Sequence, residues 1–150
     1  AGRRIVECLR QVGVAAEARG VQLVIEPVNH LQVGFNHTVG EVRRLVEAIG
    51  SPAFGPMVAT LHMNIEERSL VQPIRDCGAA LRHVHLCESN GSLFGTGHLD
   101  FAAVLRALEE IGYSLYASAK VYRGAQPEDA ARTSLAHLRQ AAAASRPMEE

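Results

Sequence analysis

The stretch that most constrains this chain is Val21-Gln22-Leu23-Val24-Ile25-Glu26-Pro27-Val28-Asn29-His30. Four of the five residues from Val21 to Ile25 are large aliphatics. That composition suits a strand buried on both faces, as in a parallel sheet. Gly20 reads as the stop of a preceding helix and Pro27 as the end of the strand. Glu26 then falls at the carboxyl end of a buried strand, where a carboxylate is costly unless it has a partner or a task. In parallel α/β proteins this end of the sheet is where chemistry is done.

The rest of the chain repeats the pattern. Ile5, Val6, Leu9, Val12 and Ala16 stand at helical spacing and predict a helix over 3–19, ahead of the strand at 21–27. Thr38 followed by Glu41 is a capping box, which opens a helix over 39–49 with Gly50 as its stop. A turn over 51–56 leads to a strand over 57–62 and a helix near 69–79. A third strand is expected over 81–87, then a long glycine-containing loop over 88–99. Asp100 caps a helix over 101–111, a fourth strand covers 115–122, and a last helix runs over about 128–143. Residues 144–150 read as a frayed tail, so the single domain is expected to be ordered over 1–143. One helix followed by four strand-helix units means parallel strands with helical crossovers. The expected class is α/β, either a small open sheet or half of an eight-stranded barrel.

Composition excludes several classes. At 47% hydrophobic and 21% charged residues the chain has the make-up of an ordinary globule. A net charge of −1 offers no field for nucleic acid, and no apolar run reaches the length of a spanning helix. Cys8, Cys77 and Cys87 are scattered and odd in number, and read as the reduced thiols of a cytoplasmic protein.

Strand ends supply Glu26, His62, His85 and Lys120, and the loops add Asn29, His30, Gln32, Glu88, Asn90 and His98. Convergence on one rim would give a site in which histidine and carboxylate hold a divalent ion or move protons. Each histidine also has a structural reading: His83 as a core residue with a backbone partner, His137 on a helix surface, His98 in a loop. Gly95-Thr96-Gly97 is either a phosphate cradle or a chain reversal, and Glu66-Glu67-Arg68 reads as a solvated run.

Four segments, Ile25 to His30, Leu61 to Glu67, His83 to Leu86 and Gly95 to Phe101, together resemble the xylose-isomerase-like sugar isomerases and epimerases. The ketose 3-epimerases are the nearest branch, with hydroxypyruvate and inosose isomerases close by. The resemblance implies a TIM barrel of which this chain is the C-terminal (β/α)4 half. It also implies one divalent ion, Mn²⁺, Co²⁺ or Mg²⁺, held by Glu, Asp, His and Glu at four strand ends. The first Glu matches Glu26 and the His matches His85. The Asp position is Ala59 and the last Glu position is Lys120. In the family the two glutamates are the acid/base pair, which makes Glu26 and Lys120 the catalytic candidates here. His62 matches the substrate-binding His, Gln32 replaces a loop Glu, Gly91 replaces an Arg, and Asn29 lies in the first matched segment.

Two functions follow as expectations. One is metal-assisted proton transfer beside the carbonyl of a small ketose, keto-acid or cyclitol. The alternative is a degenerate or truncated half barrel that acts as a binding or assembly module. Either one implies a partner for the open sheet, a second copy or an N-terminal half barrel. Abasic-site nucleases share the superfold, but they need more metal ligands than this chain offers. Lys120 is expected to stand where the metal's charge was, paired with Glu26, or, if its pKa is lowered, to act as a base, or else to point along the rim into water.

Overall fold

In the computed structural model, residues 2–124 and 126–145 are described. Helix α1 (Gly2–Glu17) leads into β1 (Leu23–Ile25), α2 (Val39–Ile49) and β2 (Phe54–Ala59). Two short helices follow, α3 (Thr60–Glu66) and α4 (Gln72–Cys77), the second continued by a 3₁₀ turn to Ala80. Then come β3 (His83–Leu86), α5 (Phe101–Glu110), β4 (Ala117–Ala119) and α6 (Pro127–Ser145). The strands form one sheet in the order β1-β2-β3-β4, with every pairing parallel. The expected α/β class with helical crossovers is what the chain adopts.

Local chemistry explains the boundaries. Thr38 accepts from the Glu41 backbone while Glu41 caps the Thr38 backbone, and Gly50 ends α2 at φ 69°. Arg10 on α1 donates to the last carbonyls of α2, Ile49 and Ala48, at 3.0 and 2.6 Å. The cation thus sits at the negative end of a helix dipole. Asp100 accepts from the Ala103 backbone N–H at 3.0 Å and opens α5.

Two expectations are corrected. The second strand starts at Phe54 and ends at Ala59, three residues earlier than read, and His62 lies in α3. Gly55 and Pro56 look like breakers but are strand residues. The Pro56 carbonyl accepts from Arg82 at 3.0 Å, on the β3 side. Its missing N–H faces that same side, before the ladder with β3 begins at Met57. The last helix runs to Ser145, whose carbonyl accepts from Arg106 at 3.3 Å. Of the expected tail, residues 146–150 lie outside the described residues.

The core lies between the sheet and its helices. Val58, Val84 and Leu86 of the sheet meet Val39, Ile74, Leu81, Phe101 and Val104, all at most 2% exposed. Thr60 is fully buried, and its hydroxyl exchanges hydrogen bonds with both backbone groups of Cys87. This ties the start of α3 to the end of β3. The other face of the sheet is open: Val24 is 41% exposed and Tyr116 87% exposed. Strands β1 and β4 each have one neighbour among the described residues, so both edges are free. No helix among the described residues is long and apolar enough to cross a membrane.

Candidate functional site

The open face carries the polar residues. Register sets Ala59 opposite His85, and His85 opposite Ser118. Side chains two apart on a strand share a face, so His83 and His85 stand together, their rings edge to face at 4.9 Å. His83 Nε2 meets the Ser118 hydroxyl at 3.1 Å. Its partner is a side chain and it is only half-buried, which corrects its reading as a core residue with a backbone partner.

Glu26, His85 and Lys120 converge. His85 Nδ1 lies 2.8 Å from Glu26 Oε1, and Lys120 Nζ lies 3.4 Å from the same oxygen and 3.3 Å from His85 Nδ1. A carboxylate only accepts, so Nδ1 carries the proton and donates it to Glu26. Nδ1 then has no lone pair for Lys120, and the ammonium is bound to Glu26. Burial is the largest influence on Glu26 and opposes its charge. The His85 hydrogen bond and the Lys120 charge outweigh burial and hold the carboxyl below its ordinary range. Burial also pulls on Lys120, but Tyr122 and Glu26 push it above its ordinary value. The Tyr122 ring centroid lies 5.2 Å from Nζ. Lys120 therefore keeps its proton, and the lowered pKa that would make it a base is not met.

His62 and Asn29 form a second pair, 3% and 2% exposed. Asn29 Oδ1 accepts from the Leu31 backbone at 3.1 Å, which orients the amide, and Nδ2 lies 2.7 Å from His62 Nδ1. His62 Nδ1 is thus the acceptor and Nε2 bears the proton. Burial, the largest influence, lowers the His62 pKa against the opposing pull of Glu26, so the ring stays neutral. Asn29 thereby fixes the tautomer of His62. Gln32 is exposed in the first loop, its backbone N–H bonded to the Asn29 carbonyl at 3.0 Å.

The rim loops are pinned by carboxylates. Glu66 accepts from both the backbone and the ring of His30, and Glu67 accepts from the Val39 backbone at 2.8 Å. These residues are not a solvated run: they cap the first loop and α2. Glu88, 1% exposed, accepts backbone N–H groups from Ser89, Leu99 and Gly95 at 2.8, 3.2 and 3.1 Å. A Cβ on Gly97 would run into Glu88 and Ser89, so this glycine lets the loop close over an internal carboxylate. His98 Nε2 meets Asn64 Oδ1 at 3.1 Å, which joins the third loop to α3. His137 packs partly buried against Phe94 and Phe101, with ring centroids at 6.2 and 5.7 Å, and is not a plain surface residue. Ser118 and Tyr122 went unread in the sequence, although each stands two positions from Lys120 and so shares its face.

The donor set does not fit a bound divalent cation. Glu26 and His85 are together, but Ala59 offers only a buried methyl group. No group of three or more His, Cys, Asp or Glu among the described residues could hold a metal ion. An ion bonded to both Glu26 Oε1 and His85 Nδ1 would lie within about 5 Å of the ammonium. The repulsion is on the order of 7 kcal/mol at an effective dielectric of about 20.

Residues 1–141 match the family described as xylose isomerase-like TIM barrel. The L-ribulose 3-epimerase of Mesorhizobium japonicum is 35% identical over 111 residues, 74% of this chain and 37% of that protein. The ketose 3-epimerase of Arthrobacter globiformis is 36% identical over 103 residues, 69% of this chain and 36% of that one. Among solved structures, D-psicose 3-epimerase with D-tagatose from Clostridium cellulolyticum H10 superposes with a TM-score of 0.85 at 28% identity. It covers 97% of this chain and 57% of its own. The 3-keto-D-glucoside 4-epimerase of E. coli gives 0.86 at 30% identity, over 93% and 53%. The chain thus spans little more than a third of these curated relatives and just over half of these solved chains. An open four-stranded parallel sheet with polar groups at its carboxyl rim is the corresponding portion of a barrel, and the chain belongs to the xylose isomerase-like TIM-barrel family.

Proposed function

We propose that this rim performs proton transfer at the carbon beside the carbonyl of a small ketose, keto-acid or cyclitol. The observation that carries the reading is the meeting of Glu26, His85 and Lys120 beside a neutral His62. His85 and Lys120 both meet the Glu26 carboxylate at Oε1, so Oε2 is the oxygen suited to take a substrate proton. As that proton leaves, charge grows on the carbonyl oxygen. The Lys120 ammonium and the His62 Nε2–H are the donors suited to that oxygen, and preorganised donors of this kind stabilise such charge. His85 holds the Glu26 carboxylate in place. Glu26 then returns a proton, exchanged with solvent, to the same carbon as the carbonyl re-forms, or to the neighbouring, former carbonyl carbon as the hydroxyl on the first carbon gives its proton to the former carbonyl oxygen.

A non-catalytic binding module is the second reading. The ion pair itself favours it, since a carboxylate tied to two nitrogens is a weaker base. The two separate in D₂O. The chain is incubated with D-psicose, D-tagatose, L-ribulose, small keto-acids and a cyclitol ketone, and loss of the proton beside the carbonyl is followed by NMR. Proton transfer predicts exchange that falls by about 10² to 10⁴ in Glu26→Gln. Absence of exchange with every compound, or exchange unchanged in the variant, would replace the catalytic reading with the binding one.

A further inference from the structure

We propose that Lys120 is the resident cation of this rim: its ammonium lies against the hydrogen-bonded Glu26–His85 pair, where a cation bound to both would sit, so the native site works without a divalent metal and excludes one. The proposal rests on the reading that Glu26 and His85 form the working site. The argument is geometric. Two donor groups 2.8 Å apart would form the start of a cation site. Lys120 Nζ lies 3.4 and 3.3 Å from those same two atoms, and on both sides the nearest strand residues add no further ligand. Ala59, opposite His85 on β2, ends in a methyl group, and Ser118, opposite His85 on β4, is engaged with His83. His62 Nδ1 is taken by Asn29.

The position of Lys120 is built into the strand. Its backbone N–H bonds the Leu86 carbonyl at 2.8 Å, continuing the β3–β4 ladder, and Tyr122 flanks the ammonium on the same face. A lysine at this place satisfies the Glu26 charge with one positive charge rather than two. It also needs no second carboxylate beside Glu26, which is the composition the rim has. An ammonium delivers its charge as hydrogen bonds to an oxygen, so the substrate group it suits is a carbonyl oxygen that gains charge during proton transfer.

Binding of Mn²⁺ to the metal-stripped chain, followed by loss of the free-ion EPR signal, tests this without any turnover. Circular dichroism is recorded on each variant. The native chain and Lys120→Arg should show no saturable binding below the millimolar range. Lys120→Gln should bind measurably, and Lys120→Glu, which adds a third donor, should bind at least about tenfold more tightly than Lys120→Gln. Should Lys120→Glu fail to fold, Lys120→Gln against native decides. Micromolar Mn²⁺ binding by the native chain overturns the proposal, as does a folded Lys120→Gln or Lys120→Glu with no gain. If no compound exchanges deuterium, the catalytic reading fails while the Mn²⁺ titration still stands or falls by itself.

Discussion

Glu88 is the residue whose replacement the structure makes most quantitative. Its carboxylate is buried and accepts three backbone N–H groups across an eleven-residue span, from Ser89 and Leu99 on Oε1 and from Gly95 on Oε2. Glu88→Gln keeps the shape. With the amide oxygen at the Oε1 position, the Ser89 and Leu99 bonds survive without their charge assistance. The amide nitrogen then faces the Gly95 N–H, donor against donor. One bond is lost, one buried N–H is left unsatisfied and two bonds weaken, so the expected loss is about 2–3 kcal/mol. In a chain of this size that is a fall in Tm of roughly 5–10 °C. Burial is the largest influence on Glu88 and opposes its charge, but the backbone donors outweigh it and hold the pKa below the ordinary value of 4.5. A carboxyl lowered on folding contributes stability that is present above its unfolded pKa and lost as pH falls through the folded value. The gap between native and Glu88→Gln should therefore be full at pH 7 and close on acidification below about pH 4.5. Urea unfolding across that range measures it. A difference within about 0.5 kcal/mol at pH 7, or one that does not shrink in acid, would refute the claim that an ionised carboxylate holds this loop.

Two further outcomes follow from other contacts. Asn29→Leu removes the short side-chain donor to His62 Nδ1 and leaves that buried nitrogen only the long 3.5 Å bond from the residue 29 backbone N–H, so the chain should lose about 1–2 kcal/mol. Any deuterium exchange should fall by lower kcat more than by raised KM, which steady-state kinetics with the exchanging compound would report. Burial pushes the Cys77 and Cys87 thiols up to about 11, whereas Cys8 is exposed. A disulfide reagent at pH 8 should modify one thiol rapidly in the folded chain and all three in denaturant; fast labelling of Cys77 or Cys87 would contradict their burial.

What was legible in this sequence follows the range of the interaction concerned. The parallel sheet could be read because helical and strand periods alternate over the whole chain, and Thr38, Glu41 and Gly50 announce their helix through contacts a few residues apart. The second strand was misplaced because Gly55-Pro56 has the chemistry of a turn. Only the neighbour β3, starting its ladder one residue later, makes the proline harmless. Glu66 and Glu67 looked solvated for the same reason: their partners, His30 and Val39, are 36 and 28 residues away. At the site, Glu26 was conspicuous because a carboxylate ending an apolar strand demands a partner. Which partner satisfies it is a matter of register, and register places Lys120, 94 residues on, against the carboxylate. That one placement changes the chemistry of the rim. With a carboxylate at 120 the same backbone would present two acids and an imidazole to a cation. With lysine it presents an acid already neutralised, a neutral His62 and an ammonium. On the proposed reading a substrate oxygen is then the ligand of that ammonium, and Glu26 would act as a base only to the degree that this oxygen draws Lys120 away from it.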